Sequence, residues 1–209
     1  VDYGMQNDNR QRFNNNFGVR DTLNLSQIER VQSVGPFFRN EWNMLDKLDL
    51  VMGGRWDWLH YQVKDAFKTD GNQSGSRTVA QASGSIGLVY HLTEQQQIYT
   101  HVASVFEAPT TTELLNNPAG RGGFNPRLNA QTSLSNELGI RGNTAGFQYD
   151  TAVFFIRTWD EITPFELPSS PGRAFFRNAG QSRRLGVETR LATPEWKGLR
   201  GEVSYTYSN

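Results

Sequence analysis

The chain has no cysteine. That excludes a disulfide framework, a zinc–thiolate centre and a cysteine nucleophile, and it suits a protein that passes through an oxidising compartment. It also has no net charge: Lys+Arg and Asp+Glu both total 21, so no overall field draws it to nucleic acid or to an acidic membrane surface. No apolar run approaches the ~20 residues that a spanning helix needs. A mean hydropathy of −0.61 would ordinarily indicate a soluble protein. One class escapes that inference, because a transmembrane barrel strand is apolar on one face only. Val1-Asp2-Tyr3 offers neither the basic nor the apolar part of a signal peptide. Both ends fall in or beside strand-like runs, so the chain is expected to be part of a longer protein.

What the sequence does contain is alternation. In LDLVMGGRWDW, Leu48, Leu50, Met52, Gly54, Trp56 and Trp58 fall on one face, and Asp49, Val51, Gly53, Arg55 and Asp57 on the other. A period of two puts successive side chains on opposite faces of a strand. The division recurs with Ile86, Leu88 and Tyr90 against Ser85, Gly87 and Val89, and with Leu134, Leu138 and Ile140 against Ser133, Glu137 and Arg141. It recurs again with Leu185, Val187 and Leu191 against Glu188 and Arg190, and with Leu199, Val203, Tyr205 and Tyr207 against Arg200, Glu202 and Ser204. In FQYDTAVFFIRTW the odd positions look lipid-like, and QIYTHVASVF gives no clear division.

Hairpin-sized connections (NMLDK, TEQQ, NTAG and PEWKG) separate pairs of runs. Between them lie long polar stretches, roughly Gln11 to Arg30, Lys64 to Arg77, Glu107 to Gln131 and Thr163 to Arg173, each expected to be a loop. Short and long connections in turn are what strands crossing a membrane produce, whereas a soluble sandwich has less regular Greek-key connections. Aromatics near strand ends (Trp42, Trp56, Trp58, Tyr90, Tyr205 and Tyr207) sit where interfacial girdles do. The expected architecture is all-β: an antiparallel transmembrane barrel, represented by about nine strands, one at the start and then four hairpins. A half-buried soluble sheet gives the same alternation, so a soluble β-sandwich binding module stays open as an alternative.

Enzyme chemistry finds little support. His60, His91 and His101 lack metal-ligand spacing, and His91, inward near a turn, is expected to be a satisfied polar side chain. No P-loop, dinucleotide fingerprint or nucleophile elbow is present, and the threonines at 110–112 have no base spaced beside them. Asp49 and Asp57 share one strand face but lie about 27 Å apart along an extended chain, too far to share a proton. Neither catalytic residues nor a protein metal site is expected.

Four segments resemble the barrel of TonB-dependent outer-membrane receptors. They are GPFFRNEWNMLDKLDLVMGGRWDW (with Arg39 where the family has glutamine), IGLVYHLTEQQQIYTHVASVFEAPTTTEL, FNPRLNAQTSLSNELGIRG (with Ala130-Gln131 where Pro-Glu is frequent) and RNAGQSRRLGVETRL. They follow the family's order from about Val34 to Asn209, and they lean towards its ferric-siderophore and ferric-citrate-like branch. The resemblance implies a barrel of about 22 strands filled by a plug. No segment resembles the plug, so residues 1–209 are expected to be an internal portion of the barrel domain. It further implies a Gram-negative outer-membrane receptor for energised uptake of a ferric siderophore. The partners would be TonB, acting through the plug, and outer-membrane lipid and lipopolysaccharide, with no nucleic acid. Iron would be carried by the siderophore, with no further cofactor.

On that reading Arg55, Asp57, Glu137, Arg141, Glu188 and Arg190 form a charged lumen wall facing the plug, or simply pair with one another across strands. Trp58, His60, Tyr61, Arg121, Phe124, Arg127 and Arg173 are the candidate contacts for an anionic chelate at the outer mouth, since arginine suits carboxylate and catecholate oxygens and aromatics stack on flat chelators. Solvation or lipopolysaccharide contact is the plainer role for any one of them. A passive porin, a barrel enzyme, or a receptor for cobalamin, haem or a saccharide remain the alternatives. Finally, Thr110 to Glu113 has the spacing of a capping box, expected to start a helical turn where Pro109 ends the strand.

Overall fold

The structure, a computed structural model, describes residues 1–120 and 122–209. Twelve strands and one short helix follow in the order β1 (Asp2–Asn16), β2 (Val19–Gly35), β3 (Phe37–Leu45), β4 (Leu48–Asp65), β5 (Gly75–Thr93), β6 (Gln96–Glu107), α1 (Thr111–Leu115), β7 (Gln131–Thr144), β8 (Phe147–Trp159), β9 (Ile162–Leu167), β10 (Ser170–Asn178), β11 (Gln181–Ala192) and β12 (Glu202–Ser208). Ten of the strands form one antiparallel sheet, in which β2 and β3 both pair with β4 and the order otherwise follows the chain. Pro36 separates β2 from β3. It has no N–H to give the ladder, but its carbonyl accepts from Trp56 N at 3.1 Å, so the two act as one interrupted strand. Counted in this way, nine strands cross the sheet, one followed by four hairpins.

Register makes the outer face continuous. Leu50 lies opposite Leu88, Leu88 opposite Thr100, Thr100 opposite Leu138, Leu138 opposite Val153, and Val153 opposite Val187. Large apolar side chains stand exposed all along this face. The other face is more enclosed: along β5 the even residues are mostly exposed while the odd ones are half-buried or buried. In a sheet one layer thick over most of its height, that asymmetry marks curvature. The undecided run in β6 now resolves, with Tyr99, His101 and Ala103 inside and Ile98, Thr100 and Val102 outside.

The ends differ. At one end the connections are tight, at residues 46–47, 94–95 and 145–146, and a longer one at 193–201 carries a small bridge between Trp196 and Leu199. At the other end lie residues 66–74, 108–130 and 160–180. Two of the expected loops need correction here. Gln11 to Arg30 is not a loop but the upper part of the β1–β2 hairpin, closed by Phe17 (φ 47) and Gly18 (φ 87). Two successive positive φ values make a primed turn, whose twist matches that of the strands it joins. Because Gln27 is already level with Asp65, the last residue of β4, this hairpin rises about 26 Å beyond its neighbour. Thr163 to Arg173 lies within the β9–β10 hairpin, a separate two-stranded sheet. The stretch Lys64 to Arg77 holds the 66–74 connection as expected, with its two ends in β4 and β5.

Candidate ligand mouth and lumen wall

The inner face of the sheet carries charge, part of it paired. Arg55 donates to both carboxylate oxygens of Asp57 at 2.7 and 2.8 Å and also bonds Asp2 on β1. The guanidinium occupies the space that a side chain at Gly35 would need. Lower down, His91 Nε2 lies 2.7 Å from Asp49. Tyr99 donates to Asp150 at 3.2 Å and lies across Gly139, while the Arg141 guanidinium sits 5.2 Å from the Tyr99 ring centre. Arg190 makes a two-pronged bond to Glu202 at 2.8 and 2.9 Å. Glu137 and Glu188 stand on the same face, opposite Phe154 and Ala152. All six lumen residues named from the sequence therefore share this face. Arg–carboxylate forks of this kind fix side chains without needing burial.

The wide end is organised around a small apolar core. Pro109 ends β6 and is fully buried. Thr110 then caps α1: its hydroxyl accepts from Glu113 N at 3.3 Å, and the Glu113 carboxylate accepts from Thr110 N at 2.8 Å. That reciprocal pair starts the turn which carries Leu114 inward. Leu114 and Leu128, both wholly buried, meet Tyr61 on the inner face of β4. Around them lie Val31, Leu59, Val79, Phe124, Ile162 and Phe176, drawn from the wall, the 108–130 connection and the β9–β10 hairpin. Polar ties hold the connection down: Arg77 bonds the Asn125 carbonyl, and Asn178 both accepts from Asn129 N at 2.8 Å and donates to the Asn129 carbonyl at 2.9 Å. The connection thus folds over the inner face and narrows the mouth.

Beside this cap lies a cavity of about 450 Å³ lined by three arginines, Arg10 and Arg12 from β1 and Arg173 from β10, with one carboxylate, Asp70. Arg10 is committed to Glu29 at 3.3 Å and to the Thr112 hydroxyl at 3.3 Å. Among the described residues, Arg12 bonds only the amide oxygen of Asn24 at 2.9 Å, and Arg173 only that of Asn116 at 3.1 Å while lying over the Phe175 ring. Among the described residues neither has a carboxylate partner. Two guanidinium groups oriented by neutral amides keep their charge available, which is what recognition of an anion requires.

Of the seven mouth residues named from the sequence, Arg173 joins this cavity. Tyr61 and Phe124 meet edge to face at 6.3 Å inside the apolar core. Arg127 is exposed on the connection and gives its backbone N–H to Asn125. Trp58 and His60 stack at 5.6 Å on the outer face of β4, away from Tyr61. Arg121 lies outside the described residues. Arg12 falls within the stretch expected to be a loop and Arg10 just before it, so the sequence does not single them out. Their period-two spacing was the available signal.

A family model described as "TonB dependent receptor-like, beta-barrel" matches residues 1–209. Among solved structures, the chain is similar to the siderophore receptor PirA from Pseudomonas aeruginosa (TM-score 0.64, 14% identity, covering 88% of this chain and 43% of that one). It is similar to the ferric yersiniabactin uptake receptor FyuA from Yersinia pestis (TM-score 0.59, 21% identity, 90% and 29%). It is also similar to the copper transporter OprC (TM-score 0.68, 16% identity, 95% and 32%). The chain spans less than half the length of each of these proteins.

Proposed function

The chain belongs to the TonB-dependent receptor β-barrel family, and from that premise we propose that it forms part of a barrel that imports a ferric siderophore across the outer membrane with energy supplied through TonB. The family is one of receptors and transporters rather than enzymes, and its members are outer-membrane proteins of Gram-negative bacteria. The observation that carries the ligand reading is the mouth cavity, where Arg12 and Arg173, among the described residues, bond only neutral amides. An anionic chelate entering there exchanges water for two charge-assisted bonds. Iron stays with its chelator, so the protein contributes recognition and not coordination. Below the mouth, the paired charges at Arg55–Asp57 and Arg190–Glu202 give a plug a polar surface that can be released without exposing apolar area. TonB acts on that plug and opens the path.

The test is binding of a panel of ferric chelates, carboxylate, catecholate and hydroxamate, to the full-length receptor. Arg12→Ala and Arg173→Ala are each expected to weaken an anionic chelate by about tenfold, the loss of one hydrogen bond to a charged group. Equal affinity in wild type and both variants, or uptake that persists without TonB, sinks the proposal.

A further inference from the structure

On the outer face, Arg157 of β8 and Arg183 of β11 lie directly opposite one another in register. Both are exposed, and among the described residues neither is paired with a carboxylate. Arg157 bonds the Gln181 amide oxygen at 2.6 Å and sits 5.1 Å from the ring centre of Trp159, one position higher on the same face. Like charges directly opposite on a sheet repel and destabilise it, and a cation costs most on the lipid side of a barrel. An anionic group bridging the pair relieves that repulsion.

Its height says what that is. The exposed apolar residues beneath it run down β8 through Phe155 and Val153 to Phe147, and down β11 through Leu185 to Leu191. From Phe147 to Arg157 is roughly 33 Å of strand, or about 25 Å of height at a tilt of about 40°, the height of a barrel's apolar band. Two arginines and a tryptophan at the upper edge of that band stand at headgroup level, where aromatic rings and basic side chains meet phosphate.

We propose that Arg157 and Arg183, with Trp159 beside them, form a binding site for a phosphorylated lipid headgroup of the outer leaflet. The phosphate bridges the two guanidinium groups, and the acyl chains lie along Phe155 and Leu185. The proposal rests on the outer-membrane reading above, and its test separates the two. Full-length receptor in detergent micelles is titrated with diphosphorylated lipid A, with dephosphorylated lipid A and with inorganic phosphate, and bound lipid is counted by native mass spectrometry. Diphosphorylated lipid A is expected to bind the wild type at least tenfold more tightly than it binds Arg157→Gln/Arg183→Gln, and dephosphorylated lipid A to show no such difference. Arg157→Lys/Arg183→Lys should recover part of the loss, because charge remains without the planar fork. Unchanged folding of each variant is checked by the heat-dependent gel shift of the barrel. Equal lipid A binding in wild type and the Gln variant overturns the site, and so does binding of inorganic phosphate as tight as that of lipid A. A receptor that fractionates away from the outer membrane overturns the reading beneath it instead.

Discussion

The tight-turn end and the open end of this sheet are built on different principles. Below, the wall is held by continuous ladders, an apolar outer belt and charge pairs such as Arg190–Glu202, with only two residues in most of its turns. Above, ladders give way to a core of Leu114, Leu128 and Tyr61 and to side chains that bond loop backbone, such as Arg77 and Asn178. The difference follows from solvent. A strand with lipid on one side gains by alternating, whereas a segment with water on both sides needs its own apolar anchor to hold one shape. The wall is therefore generic and the mouth is particular. At the mouth, Arg12 and Arg173 face the cavity with neutral amide partners, as Arg141 does on the wall through Gln97.

The most severe way to break the comparison is to empty the mouth's core. Leu114→Ala removes a wholly buried side chain and is expected to cost about 2–5 kcal/mol of local stability. Because the core joins the 108–130 connection to the wall, limited proteolysis within 108–130 should accelerate strongly. The barrel itself, read by its heat-dependent gel shift, should not change. A barrel that loosens together with the loop would mean that the two ends are one cooperative unit.

How much of this could be read from the sequence follows the same division. The nine crossings were legible because Leu48 to Trp58 or Ile86 to Tyr90 alternate between lipid and a wet interior. So was the cap at Thr110, since a capping box is a local signal complete in four residues. Above the lipid band both faces are wet and alternation carries no hydrophobic contrast. Residues 11–30, rich in Asn, Gln and Arg, therefore read as loop although they form the tallest hairpin, and Arg12 is hidden with them. Parity places Trp58 and His60 on the outer face with Leu48 and Leu50, apart from the mouth cavity where a ligand contact is expected of them. By contrast, nothing local marks Tyr61 and Phe124 as partners, because their meeting depends on where a connection of more than twenty residues folds back.

A smaller change tests the wall. At Gly139 an added Cβ would lie 2.5 Å from the Tyr99 ring carbon that bears the hydroxyl. Gly139→Ala must therefore push Tyr99 aside and break its bond to Asp150. Overpacking of this kind costs about 1–3 kcal/mol. The expected result is a lower unfolding temperature of the barrel with unaltered proteolysis of 108–130, the reverse of Leu114→Ala. Ligand affinity should also stay the same, since the arginine cavity lies at the other end.

The mildest change separates anchor from cap within the mouth. Thr110→Ala removes the hydroxyl that accepts from Glu113 N but leaves Leu114 in place. Loss of such a cap costs about 1 kcal/mol, less than the core can absorb if Leu114 and Leu128 hold the connection. Hydrogen exchange should therefore speed up about fivefold at the amides of 111–115 and remain as in wild type at 124–129, where Arg77 and Asn178 hold the backbone. Loosening that spreads to 124–129 would show that the capped turn, and not the buried leucines, organises the mouth. In that case the placement of Arg173, which bonds Asn116 just past the end of the turn, would loosen too, and binding of an anionic chelate would weaken with it.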